Sequence, residues 1–192
     1  MEDRVDAGLW LQTAEVVPDT GAATLWFENA SPNRTDLPRK IDEFRCLGIS
    51  EVDVPAARWH FRRYPRPGQG VLTGRPTLGL LLVLVGVRDE SESQAFRDWA
   101  DFTHIHHIAA CDDDVLSAGL MITPYENADG GDPRFMHLYE LGTNDPETWF
   151  KGMPDRVATR LGGGFGTPAF DDWANHPALR ILYVNTFRRV GA

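Results

Sequence analysis

The stretch LGLLLVLVGV, residues 78–87, decides the predicted fold. Its aliphatic side chains follow one another without the polar alternation of a half-exposed strand, a pattern typical of a strand buried on both faces. Such a strand needs a layer of structure against each face. The stretch is too short for a membrane span, which needs about 20 apolar residues. We therefore expect the central strand of a globular sheet here.

The residues that follow alternate between helix and strand patterns. We expect a helix from Ser91 or Ser93 to about Ala110, strands at 115–125 and 134–141, a helix from Pro146 to Gly162, and a strand at 179–188. The order β-α-β-β-α-β is that of a ferredoxin-like split βαβ fold. The sequence therefore predicts an α+β, ferredoxin-like domain over residues 76–192.

Residues 1–75 carry a weaker pattern. Strands at 8–17 and 56–64 are expected to flank two short helices at 22–29 and 38–46. This region is predicted to be a β-α-β extension or a degenerate second copy of the same half.

The domain at 76–192 suggests a dimer. Because its four strands, backed by two helices, leave one apolar sheet face uncovered, we expect a homodimer that closes an α/β barrel across that face.

The composition of the chain limits the cellular compartment and the binding partners that we expect. The formal net charge is −9 over 192 residues, and the C-terminal part has no Lys/Arg cluster, which argues against nucleic acid as a partner. Cys46 and Cys111 form neither a metal-binding spacing nor a disulfide framework. The charged N-terminus lacks the apolar core of a signal peptide. These features predict a reduced, cytoplasmic protein that binds neither nucleic acid nor a membrane.

Three of the six histidines end the first predicted helix of the C-terminal domain. In an α-helix, Trp99, Thr103 and His106 would share one face, and His104 and His107 would pair on an adjacent face. Imidazoles near neutral pH suit proton transfer. The alternative is that these histidines only end a surface helix, where a cation favours the helix dipole.

A second group of chemical side chains lies on the predicted strand at 134–141. Phe135, His137 and Tyr139 alternate along it and therefore share one face. That face lines a cavity or packs against the helices, and the alternation does not decide between the two. Tyr125, at the end of the preceding strand, is a further candidate for the cavity wall.

These motifs together resemble a known superfamily. Trp99 followed five residues later by His104, the strand FMHLYEL at 135–141, and NDPE at 144–147 are similar to the dimeric α/β-barrel superfamily, and within it to the EthD-like proteins. The resemblance covers about residues 77–190. In such families a Tyr follows the Trp and a Pro comes soon after the His. In this sequence Ala100 follows Trp99 in place of the Tyr. His106 and His107 follow His104 in place of the Pro, and they add two imidazoles.

The resemblance implies a pocket for small molecules inside the dimeric barrel. Members of the superfamily include cofactor-free monooxygenases and cyclases of aromatic polyketides, lactone isomerases, haem enzymes and proteins of unknown role. The fold therefore implies no single activity.

The side chains themselves favour acid/base catalysis without a cofactor. His104 is the expected general base, His137 and Tyr139 are further catalytic candidates, and Tyr139 or Tyr125 would hold an enolate oxygen. The expected substrate-binding residues are Trp99, His107, Tyr125, Phe135 and Phe102. The predicted activity is that of an isomerase or cyclase acting on a small hydrophobic, aromatic or polyketide-like compound in secondary or catabolic metabolism.

Three alternatives stay open at this point. The same residues suit a cofactor-free monooxygenase of similar substrates. His104 and His107 are spaced to chelate a metal with His137 or Asp101 as a third ligand, and haem on His104 or His137 is implied only by the resemblance. The third alternative is a non-catalytic protein that binds a hydrophobic ligand or serves as a dimerisation module.

Overall fold

The computed structural model describes residues 8–18 and 23–191 of the chain. Within them the strands are β1 (Gly8–Ala14), β2 (Thr24–Asn29), β3 (Cys46–Ser50), β4 (Trp59–Arg63), β5 (Gln69–Val71), β6 (Gly79–Val87), β7 (Leu120–Asn127), β8 (Phe135–Leu141) and β9 (Leu179–Arg189). The helices are α1 (Ser93–Trp99), a π-helical turn (Ala100–His104), α2 (Ile105–Ala110), α3 (Asp114–Ser117), α4 (Pro146–Leu161) and α5 (Pro168–Ala174). A 3₁₀ turn at Glu90–Glu92 leads into α1.

The strands form one antiparallel sheet that closes on itself. The order is β4-β1-β3-β2-β9-β6-β8-β7, and β4 pairs with β7 to complete the ring. That closing pair places Phe61 opposite Asn127 and Arg63 opposite Tyr125. The short β5 pairs with the earlier part of β7. Closure leaves few unpaired strand edges, and such edges are the usual template for unwanted association.

The prediction of a ferredoxin-like α+β fold is wrong. Of the helix expected at 22–29, residues 24–29 form strand β2 and residue 22 lies outside the described residues, while no helix forms at 38–46. Since β2 pairs with β9, with Phe27 opposite Arg189, the sheet continues into the N-terminal residues. The six residues Thr24–Asn29 are too few for the spacing of their apolar side chains to distinguish a helix from a strand. The strands of residues 8–71 and of residues 79–189 thus belong to the same sheet.

The inside of the ring is an apolar core. Leu80, Leu82 and Leu84 of β6 point into it together with side chains from β1 to β4 and β7 to β9, such as Phe27 and Phe61. These N-terminal strands cover the sheet face for which we expected a second subunit. The homodimer itself stays a prediction, but the uncovered face that motivated it is covered within one chain.

The helices pack on the outside of the ring. Leu81 of β6 and Tyr139 of β8 contact Ile105, Trp149 and other side chains of the helical layer. Odd and even positions of β6 therefore meet different layers, as the period of two in a strand requires. The expectation that residues 78–87 form a strand buried on both faces is confirmed.

No helix in residues 8–18 and 23–191 is both long enough and apolar enough to cross a membrane.

Candidate active-site pocket

A cavity of about 230 Å³ lies between the helical layer and the outer face of the sheet. We call it the outer pocket. Its sheet side is formed by outward-facing side chains of β6, β8 and β9, and its helix side by the π-turn, α4 and α5. Its wall is apolar except for three polar groups, His104, His137 and Tyr139, and the indoles of Trp99 and Trp173. An apolar cavity with a few convergent polar groups is the usual anatomy of a small-molecule site.

The π-turn decides which helix residues reach this pocket. The Ile105 amide donates to the Ala100 carbonyl, five residues back, instead of four. One extra residue in a turn rotates everything after it by about 100° relative to a regular helix. Trp99 and His104 therefore become neighbours, with ring centroids 5.1 Å apart. His106, which a regular helix would place beside Trp99, is exposed instead.

Trp173 fixes the protonation of the His104 imidazole. His104 Nδ1 lies 3.0 Å from the Trp173 carbonyl oxygen. Because a carbonyl oxygen only accepts hydrogen bonds, Nδ1 carries the proton and Nε2 of the neutral ring keeps a free lone pair. The Trp173 indole donates back to the His104 carbonyl at 3.1 Å, and the two rings stack at 5.1 Å. Burial lowers the pKa of His104, which keeps the ring neutral near pH 7.

His137 brings a second imidazole to the same pocket from β8. Its side chain is 3% exposed, and its Nε2 has no hydrogen-bond partner among the described residues. Burial, and secondarily the nearby His104, lowers its pKa to about 3. A buried polar atom without a partner costs about 1–3 kcal/mol. His137 therefore lines the pocket as a neutral imidazole whose Nε2 is itself buried and unpaired in the part of the chain that the structure describes.

Tyr139 is the third polar group of the outer pocket. Its ring is buried against Trp149, with centroids 6.2 Å apart. Burial raises its pKa, so the phenol stays protonated at neutral pH. A protonated hydroxyl at the pocket wall is a hydrogen-bond donor for a ligand oxygen. The face of β8 with His137 and Tyr139 therefore packs toward the helices and also lines a cavity there.

Two aromatic side chains form the rim. Trp99 lines the pocket, and its indole donates to the Asp172 carbonyl at 2.7 Å. Phe165 lines it too, although its side chain is 84% exposed. Phe165 stands in a loop between Gly162 and Gly166, both with positive φ angles of 76° and 83°. Those conformations favour glycine.

Residues 30–45, before β3, close the remaining side of the pocket. Leu37 lines the cavity. The segment is held by hydrogen bonds that the backbone amides of Lys40 and Ile41 donate to the Leu182 carbonyl of β9, at 2.7 and 3.2 Å. Arg34 is buried nearby and pairs with Glu147 at the start of α4. The N-terminal residues thus contribute directly to the candidate site.

Four predicted substrate-binding residues lie outside the outer pocket. Phe135 is buried behind Phe96, with ring centroids 5.5 Å apart. Phe102 is 67% exposed beneath the Arg66 guanidinium, because the π-turn directs it outward. His107 accepts a long contact of 3.4 Å from Arg160. Tyr125 belongs to the core inside the ring.

The histidines form no metal-binding group within the described residues. No set of three or more His, Cys, Asp or Glu side chains there is placed to hold a metal ion. The expected chelating pair is separated, since His104 contacts Trp173 whereas His107 faces Arg160. Asp101, the other expected ligand, pairs with Arg66 at 2.7 Å.

Trp173 and Phe170 are two of the pocket residues that sequence reasoning missed. Both lie on α5, where Thr167-Pro168 is a helix-start signal that we left unused. Trp173 is not among the site residues that we predicted. Nothing in its neighbourhood in the sequence indicates that its carbonyl would orient His104, since the two residues meet only through the fold.

The fold and the site together define a closed antiparallel sheet with an outer helical layer and a small apolar pocket that holds two imidazoles and a phenol. Comparisons with protein-family models, with curated proteins and with solved structures find no match. The resemblance to EthD-like proteins therefore stays a prediction.

Proposed function

We propose that the protein is a cofactor-independent acid/base enzyme that removes an acidic proton from a small apolar substrate in the outer pocket. The observation that carries the proposal is the neutral His104 in the pocket wall, whose Nδ1 is held by the Trp173 carbonyl so that its Nε2 lone pair is free. Two neutral imidazoles in an apolar cavity suit proton transfer near pH 7.

The size of the cavity narrows the substrate class. A cavity of about 150 Å³ holds benzene in an engineered protein. The outer pocket, at about 230 Å³, accommodates a single substituted aromatic ring. Typical drug-sized ligands occupy about 300–1,000 Å³. We therefore favour a one-ring ketone or phenol over a polycyclic polyketide.

The proposed reaction begins with His104 as general base. A C–H bond next to a carbonyl breaks, its proton moves to His104 Nε2, and the electron pair forms an enolate. The Tyr139 hydroxyl donates a hydrogen bond to the enolate oxygen, and the neutral ring of His137 packs beside the substrate. Return of the proton from His104 to another carbon completes an isomerisation. Attack of the enolate carbon on a second carbonyl, with that proton passing from His104 to the new alkoxide, gives a cyclisation.

A deuterium-exchange assay tests this proposal. Phenylacetone, a neutral one-ring ketone, is incubated with the protein in D₂O, and loss of its benzylic proton signals is followed by NMR. We expect exchange above the uncatalysed rate, reduced about 100-fold or more in His104→Gln. His106→Gln, at an exposed position two residues away, is the matched control and should keep the rate.

Two results would contradict the acid/base proposal. Equal exchange by His104→Gln and the unchanged protein would remove His104 as the base. Saturable binding of phenylacetone and of related one-ring ketones without exchange would identify a non-catalytic binding protein. Oxygen uptake with hydroquinone, lost in His104→Gln, would instead assign the same base to a cofactor-free monooxygenase.

A further inference from the structure

A second cavity lies at one mouth of the strand ring, on the opposite side of the sheet from the outer pocket. It measures about 460 Å³. Its floor is formed by inward-facing side chains of the ring core, among them Leu9, Phe27, Leu80 and Leu138. We call it the mouth pocket. It takes Leu138 and Glu140 from β8, whereas the outer pocket takes His137 and Tyr139, so the two sites use opposite faces of one strand.

The polar groups of the mouth pocket are acidic. Glu140 and Glu51 both line it, and no Lys, Arg or His does so among the described residues. Thr77 donates its hydroxyl to Glu140 Oε1 at 2.9 Å. Burial, the largest cause, and the Glu51 carboxylate raise the pKa of Glu140, whereas the Thr77 hydrogen bond and the Arg63 charge lower it, with a net upward shift. The buried Tyr125 adds a phenol to the wall.

The two buried carboxylates of residues 8–18 and 23–191 each have a guanidinium partner. Glu126 lies 2.9 Å from Arg62 and 3.3 Å from Arg97. Asp101 pairs with Arg66 at 2.7 Å. Within the described residues, the only side-chain hydrogen bond to Glu140 comes from the Thr77 hydroxyl, and Glu140 forms no salt bridge. A partly buried carboxylate next to a second carboxylate and above an apolar floor is complementary to a cation with a hydrocarbon body.

We propose that the mouth pocket is a second ligand site that takes a small apolar amine. The ammonium group lies between Glu140 and Glu51, with Tyr125 beside it, and the hydrocarbon part packs on Leu80 and Leu138. An ammonium donates charge-assisted hydrogen bonds to both carboxylates. A neutral alcohol of the same shape lacks that charge, and a carboxylate ligand meets like charge. This site does not depend on the activity proposed for the outer pocket.

Calorimetric titration with three matched probes tests the second site. Phenethylamine, 2-phenylethanol and 3-phenylpropanoate share a phenyl ring and differ in charge. At neutral pH and low salt we expect the amine to bind at least about tenfold more tightly than the alcohol, and the carboxylate not to bind measurably. Equal affinity for amine and alcohol would overturn the proposal.

Variants assign the amine to the mouth pocket. Glu140→Gln should weaken phenethylamine binding about tenfold, and Glu51→Gln, on an exposed residue that a folding defect does not complicate, should weaken it severalfold. Asp155→Asn makes the same charge change on the exposed side of α4 and should leave the affinity unchanged. His137→Leu alters only the outer pocket. Lost amine binding in His137→Leu, or full binding in both glutamate variants, would contradict the assignment.

Discussion

The two faces of β8 carry opposite chemistry. On the outer face, His137 and Tyr139 present neutral groups to an apolar pocket of about 230 Å³. On the inner face, Leu138 and Glu140 present a carboxylate to a larger cavity of about 460 Å³ at the mouth of the ring. A single strand can serve both because successive side chains point to opposite sides. The difference between the two cavities is therefore one of charge as well as size.

Both pockets depend on a strand ring that stays closed, so the largest expected effect is a loss of stability when the ring core is disrupted. Phe61 is fully buried in the ring core and belongs to β4, which closes the ring against β7. We expect Phe61→Ala to lower the free energy of unfolding by about 3–5 kcal/mol, measured by urea denaturation. Phe165→Ala removes an exposed phenyl group on the helical side and is the matched control. It should change the free energy of unfolding by less than about 0.5 kcal/mol.

The outer pocket should contribute to the dependence of folding stability on acidic pH through His137. The pKa of His137 lies at about 3 in the folded protein and near 6.5 in the unfolded chain. The unfolded chain therefore binds more protons between these values, and the stability from the neutral folded imidazole, complete above pH 6.5, is lost as pH falls toward 3. We expect a slope of up to about 1.4 kcal/mol per pH unit from this residue, read from urea denaturation across that range.

The variant His137→Leu is the check on that slope. It removes the titrating group, so the loss of stability between pH 6.5 and pH 3 should become shallower. His106→Gln, at an exposed imidazole, should keep the slope of the unchanged protein. An identical slope in all three proteins would contradict a neutral, buried His137.

The two pocket histidines should respond in opposite directions to truncation. His137→Leu removes a buried nitrogen that has no partner, so at pH 7 we expect the protein to gain about 1 kcal/mol of stability. His104→Leu breaks the bond to the Trp173 carbonyl, so we expect a loss of about 1 kcal/mol. Urea denaturation measures both. Destabilisation by both variants would indicate that His137 has a structural partner.

The smallest effect is expected at the rim. Phe165 lines the outer pocket from a loop bounded by Gly162 and Gly166. We expect Phe165→Ala to weaken phenylacetone binding severalfold and to leave phenethylamine binding unchanged, since that amine belongs to the mouth pocket. Parallel titrations of the two probes measure this, and equal losses for both would merge the two sites.

Elements whose sequence signals are local could be predicted. The aliphatic stretch at 78–87 identifies β6, and Asp145-Pro146 together with Gly162 delimits α4. Asp145 caps that helix by accepting the Thr148 amide at 3.2 Å, as the capping rule expects. These signals act within a few residues, so they do not depend on the rest of the fold.

Features that depend on distant partners could not be predicted. The six residues of β2 become a strand because β3 and β9 pair with them, which their own short pattern does not reveal. The same long-range pairing turned the expected ferredoxin-like half into part of a closed ring. The π-turn has no sequence signal that we recognise, yet it replaced the expected pairing of Trp99 and His106 with that of Trp99 and His104.

The candidate site was therefore predicted in part. His104, His137, Tyr139 and Trp99 do meet in one pocket. Their meeting place lies between the sheet and the helices, whereas we had expected the interior of a barrel. Tyr125 was assigned to the same cavity but lies on the other side of the sheet, because it is on the inward face of β7.

Histidine ¹⁵N NMR tests the central claim most directly, since it reports the protonation of each imidazole nitrogen. We predict that His104 is neutral at pH 7 with its proton on Nδ1, and that His137 stays neutral down to about pH 4. Both Nε2 resonances should shift when phenylacetone is added, while the His106 resonances should not. A His137 that titrates near pH 6.5, or Nε2 signals that ignore the probe, would contradict a pair of neutral imidazoles that open into the outer pocket.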